Sequence, residues 1–134
     1  MNETDITHYI TATFPAAEMQ VADGNFFFFF GAERMMPFAT LMTNAAYDPF
    51  SNLDRPGVFR LNMGVSKKTF SAQLGDATGG SGHDLTALDK LMPHPEYGKL
   101  FWVCVLNPAA ATWETVKKLL AEAYALAEKK QTKS

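Results

Sequence analysis

The spacing of apolar positions divides the chain into helical and extended stretches. Ile6, Tyr9, Ile10, Thr13 and Phe14 recur at three- and four-residue steps behind Thr4, a helix-capping residue type, and Pro15 blocks continuation. A short amphipathic helix is predicted there. Residues 19–21 and 25–30 flank Asp23-Gly24, a dipeptide that supplies the positive backbone angles of a tight hairpin turn. A third strand is predicted over residues 38–43, between Pro37 and the turn-forming Asn44, Asp48 and Pro49. Over residues 58–65, Phe59, Leu61, Met63 and Val65 share one face of a fourth strand, and Arg60 and Asn62 share the other.

Ser66 is placed to cap a helix over residues 67–74, with Phe70 and Leu74 one turn apart and Gly75 as its stop. Residues 75–83 read as a flexible Gly-rich loop. A short helix is predicted over residues 84–92, carrying Leu85, Leu88 and Leu91 or Met92 and ended by Pro93-His94-Pro95. Residues 101–106 are wholly apolar, as in a central strand buried on both faces. Thr112 is the predicted cap of a final helix whose apolar face holds Trp113, Val116, Leu119, Leu120, Ala123, Tyr124 and Ala127. Residues 131–134 read as a disordered tail. This order predicts an α+β, two-layer domain: a largely antiparallel twisted sheet with helices packed on one face.

Composition narrows the class. The 134 residues suit a single domain over 1–134, and 47% hydrophobic against 19% charged residues excludes intrinsic disorder. There is no apolar run long enough for a membrane-spanning helix, and the opening MNETDITHYI is too acidic for a signal peptide, so no membrane association and a cytoplasmic address are expected. Cys104 stands alone and His8, His83 and His94 lack ligand spacing, so neither a metal nor a cofactor is expected. A net charge of -2 removes the electrostatic drive of a dedicated nucleic-acid binder.

Three features could carry chemistry. In a strand over residues 26–30, Phe26, Phe28 and Phe30 face one way and Phe27 and Phe29 the other, so both faces need cover. Helices would cover one; the loop of residues 75–82, neighbouring side chains, a second copy of the chain in a homodimer, or a ligand would cover the other. The second feature is the polar set Asn52, Asp54, Arg55, Arg60 and Asn62, where a guanidinium and an amide on one strand face suit a carboxylate or phosphate. Its structural alternative pairs Arg60 with Asp54 or a strand acid and leaves Arg55-Pro56-Gly57 to build the turn. In the third, Pro93 and Pro95 hold His94 extended with Tyr97 three residues on, so His94 could act as a general base oriented by Glu96 or Asp89; the alternative is a loop-packing histidine. Nothing in the chain supplies a nucleophile elbow.

The run Phe50-Ser51-Asn52-Leu53-Asp54-Arg55-Pro56-Gly57-Val58-Phe59-Arg60-Leu61-Asn62, with Gly64-Val65-Ser66-Lys67, Leu88-Asp89-Lys90-Leu91-Met92-Pro93-His94-Pro95, Tyr97-Gly98 and residues 102–108, resembles a bacterial family catalogued as domain of unknown function 6194. The proline-flanked histidine, the Trp-Val strand and the final helix also resemble, more faintly, the MmcQ/YjbR-like proteins. That resemblance implies a frataxin-like arrangement of helices on one side of an antiparallel sheet. The frataxin comparison also implies iron at an acidic first helix, where this chain offers only Glu3 and Asp5. The expected function is a non-enzymatic binding or interaction module that contacts a protein partner or a small anionic ligand through Asn52, Asp54, Arg55, Arg60, Asn62 and Tyr97. The alternative is a small hydrolase or isomerase with His94 as base and Arg60 as anion anchor.

Overall fold

The computed structural model describes residues 1–32, 35–46, 49–75 and 83–132. Most of the predicted Gly-rich loop, and the last two residues of the predicted tail, lie outside these. The elements are helix α1 (Glu3–Thr13), strands β1 (Ala17–Ala22), β2 (Asn25–Phe30), β3 (Ala39–Met42) and β4 (Arg60–Gly64), helix α2 (Lys67–Leu74), strands β5 (Met92–Pro93) and β6 (Trp102–Leu106), and helix α3 (Ala110–Thr132). The strands form one antiparallel sheet in the order β1-β2-β3-β4-β6-β5, so the fold is α+β.

Local chemistry explains most boundaries. The β1–β2 hairpin closes through Asp23 and Gly24, both at positive φ (51° and 81°), a combination that matches the twist of the flanking strands. Asn2, rather than Thr4, caps α1: its side chain accepts from the Asp5 N–H while the Asp5 carboxylate accepts from the Asn2 N–H. Ser66 caps α2 as predicted, and Glu122 of α3 reinforces that end by accepting from the Ser66 N–H and the Thr69 hydroxyl.

Two further expectations fail. Residues 84–92 form turns leading into β5 instead of a helix. The Asp84 carboxylate accepts from both the N–H and the hydroxyl of Thr86, Asp89 sits at φ 57°, and Leu91 and Met92 go to opposite faces of the sheet, as a strand requires. Thr112 also does not cap the last helix, which begins at Ala110. Asp89 does so from across the fold, accepting the Ala109 N–H at 2.7 Å. That bond first, and the Thr112 hydroxyl second, hold the Asp89 carboxyl below the ordinary carboxylate range.

The main core lies on the inner face of the sheet. Phe28, Leu41, Leu61, Met63, Val103 and Val105 meet Ile6 and Ile10 of α1, Phe70 of α2 and Val116, Leu119 and Leu120 of α3, and α3 packs directly on β2 and β4. Each fully buried side chain of this size contributes about 1.5–3 kcal/mol. A smaller cluster lies on the outer face, where Leu53 and Val58 cover Met42, Met92, Cys104 and Leu106, with Leu85 packed beside them.

Candidate functional site

The outer face of the sheet carries side chains in rows set by strand register. Phe27, Thr40, Asn62, Cys104 and Met92 make one row across five strands. Met42, Arg60 and Leu106 make the next row on one side, and Gly64 and Trp102 the next on the other. His94 follows β5 beside Trp102, its N–H bonded to the Trp102 carbonyl.

Over the Arg60 row the face is closed. Arg60 has no solvent exposure; its Nη1 donates to Ser51 Oγ at 2.9 Å and its Nε to Asn62 Oδ1 at 2.9 Å. Arg55 builds the cover, donating from Nε to the Asn52 carbonyl and from Nη2 to the carbonyls of Ser51 and Thr86. It thereby ties the loop of residues 49–58 to the segment that brings Leu85 onto the outer face. Asp54 accepts from the Ala45 N–H, and Asn52 takes a positive φ of 51° in the turn. The planar guanidinium suits these convergent carbonyls, a role a lysine could not fill with the same geometry.

At the Phe27, Thr40 and Asn62 end of its row the face opens into a pocket of about 430 Å³, while Cys104 and Met92 at the other end stay within the covered cluster. Thr40, Asn62, His94, Glu96 and Tyr97 supply its polar lining, and Phe27, Met42, Leu100 and Trp102 much of its apolar wall. A second hollow of about 510 Å³ lies alongside and shares Trp102 and Leu100 with the first. Trp102 lies against Gly64 so closely that a Cβ there would stand 2.8 Å from the indole Cε2 and Nε1. Only glycine leaves room for the ring.

The hydrogen bonds around His94 define its chemistry. The backbone N–H groups of Glu96 and Tyr97 both donate to Nδ1, each at 3.0 Å, so Nδ1 is an acceptor and the neutral ring carries its proton on Nε2. The Tyr97 ring lies 4.8 Å from the imidazole and the Trp102 ring 6.4 Å away, nearly perpendicular.

The residues singled out in the sequence therefore separate. Asn62, His94 and Tyr97 meet at the pocket. Arg60 lies behind Asn62, outside the pocket lining, and Asn52, Asp54 and Arg55 belong to the closed half. Sequence reasoning passed over Thr40 as a site residue. Its signal was a hydroxyl at the centre of an apolar strand, and its meaning depends on the pairing that sets it opposite Asn62. Among the described residues, no group of three or more His, Cys, Asp or Glu side chains could hold a metal ion, and no helix is long and apolar enough to cross a membrane.

These features define an α+β domain with helices on one face of an antiparallel sheet and a partly polar pocket on the other. Over residues 1–134 the chain matches the Family of unknown function (DUF6194), and it belongs to that family. Searches of curated proteins and of solved structures return no match.

Proposed function

We propose that this protein is a binding module for a small ligand held in the outer-face pocket. The observation that carries this reading is the contrast in cover: the same sheet face is sealed over Arg60 and hollow over Asn62, where buried polar groups meet aromatic rings. Pockets of a few hundred Å³ with a mainly apolar wall and a few fixed polar groups suit small molecules. Phe27, Tyr97 and Trp102 give the wall aromatic character, which favours a flat or ring-bearing ligand.

Supporting a binding role over general-base catalysis, the Nδ1 lone pair of His94 is engaged by two backbone donors, and a base at Nε2 would require the opposite tautomer. Anion capture at Arg60 is also disfavoured, because its bonds run to Ser51 and Asn62 within a fully buried site. The likeness to MmcQ/YjbR-like proteins remains a proposal about fold kinship and supplies no activity.

The test is a fragment screen of small aromatic compounds followed by backbone and indole N–H resonances. Specific binding should shift Thr40, Asn62, Tyr97 and the Trp102 indole together. Phe27→Trp, which enlarges a wall side chain, should abolish those shifts while the rest of the spectrum is kept. Shifts scattered over the surface, or untouched by Phe27→Trp, would overturn the assignment. Light scattering on the same samples separates a ligand pocket from a self-association surface: a dimer present without fragments that dissociates when they are added, or that is lost on replacing the exposed Leu100 by Asp, would favour the latter.

A further inference from the structure

We infer that the pocket, read as above as a ligand site, selects a ligand with a neutral hydrogen-bond acceptor, such as a ketone, ester or amide carbonyl, attached to an apolar body. The inference rests on bond direction along Arg60, Asn62 and Thr40. A guanidinium has donors only, so Arg60 Nε must be met by the amide oxygen of Asn62, which fixes that side chain's orientation. The amide nitrogen then has to face Thr40, and it donates to Thr40 Oγ1 at 2.8 Å. With its oxygen accepting this bond, the Thr40 hydroxyl is left to turn its own hydrogen outward. The Asn62 amide also has a second N–H.

The floor of the pocket is thus a donor surface, and its polarity is set by a buried arginine that does not line the pocket. Arg60 is a positioning residue here. Arg60 behind the floor is engaged by Ser51 and Asn62 and presents no donor to the pocket, and Glu96 at the exposed rim adds negative charge, so the complement is a neutral oxygen rather than a carboxylate. A site built to donate discriminates against analogues that lack the acceptor, because buried Asn62 and partly buried Thr40 would then lose a partner.

The test compares acetophenone with α-methylstyrene, in which a CH₂ group replaces the carbonyl oxygen, and with benzylammonium and benzoate. Affinities are read from the Thr40 and Asn62 resonances. Acetophenone should bind about tenfold more tightly than α-methylstyrene, the difference expected for one or two hydrogen bonds to a neutral acceptor. Benzoate should fall below acetophenone. Thr40→Val, which keeps the shape and removes the hydroxyl, should erase most of the carbonyl's advantage. Asn62→Asp should do the same by another route, because its carboxylate keeps Arg60 paired but draws in the Thr40 hydrogen. If acetophenone and α-methylstyrene bind alike, or benzylammonium binds best, the acceptor inference is wrong while the pocket stands as a ligand site. If no compound of any head group moves these resonances, the ligand-site reading fails as well.

Discussion

Two halves of one sheet face, which share β3 and β4, reach opposite outcomes. Around Met42, Arg60 and Leu106, Leu53, Val58 and Leu85 complete a dry cluster, and the guanidinium within it is met by Ser51 and Asn62. One row along, Phe27, Thr40 and Asn62 face a hollow. The strands do not differ in kind across that boundary; the cover does. A polar side chain in the closed half is consumed by structure, whereas a polar side chain in the open half can be offered to a ligand. Asn62 belongs to both, with its oxygen turned to Arg60 and its nitrogen toward Thr40.

The contrast has energetic consequences that mutation can break or sharpen. The largest effect is expected in the closed half: Leu53→Ala, at 1% exposure, should cost about 2–5 kcal/mol in urea unfolding, through lost transfer energy and the cavity left behind. Phe27→Ala removes a larger side chain from the partly covered wall and should cost only about 1 kcal/mol. Equal costs would erase the distinction between the halves. Gly64→Ala should be intermediate, at about 1–3 kcal/mol, because its Cβ meets the Trp102 indole and the ring must move. A shifted Trp102 indole N–H resonance, with that of Trp113 in the inner core unmoved, would locate that movement at the wall between the two hollows.

The smallest effect concerns Asp89, which joins the turns of residues 84–91 to the start of α3. Its folded-state pKa is depressed, so its contribution is present above the unfolded carboxylate value of about 4 and is lost as pH falls through the lower folded value. Melting temperature should therefore drop more steeply with acidification in the parent protein than in Asp89→Asn. Superimposable profiles would show that the cap adds nothing to pH dependence. Fragment binding should be the same in both at neutral pH, since Asp89 does not line the pocket.

Much of this architecture was legible along the chain. Alternation placed Phe59, Leu61 and Met63 opposite Arg60 and Asn62, and Asp23-Gly24 marked the hairpin that lays five phenylalanines out as a strand. The segment over residues 84–92 misled because three leucines at helical spacing are also what a turn-rich strap produces when it sends Leu85 to one cluster and Leu91 to another. The cap of α3 misled because the nearest suitable side chain in sequence, Thr112, was displaced by one twenty residues from the N–H it accepts. Thr40 drew no attention because a lone hydroxyl acquires a role only through its neighbours.

By itself the sequence determined what depends on near neighbours: which residues extend, which cap and turn, and which side chains share a face. Those follow from backbone sterics and hydrogen bonds spanning a few residues. Tertiary structure alone decided which part of the outer face is sealed and which is open, and so whether Arg60 or Asn62 meets the pocket. That choice depends on where distant loops settle over the sheet, and on strand register, which turns residues remote in sequence into hydrogen-bonded neighbours.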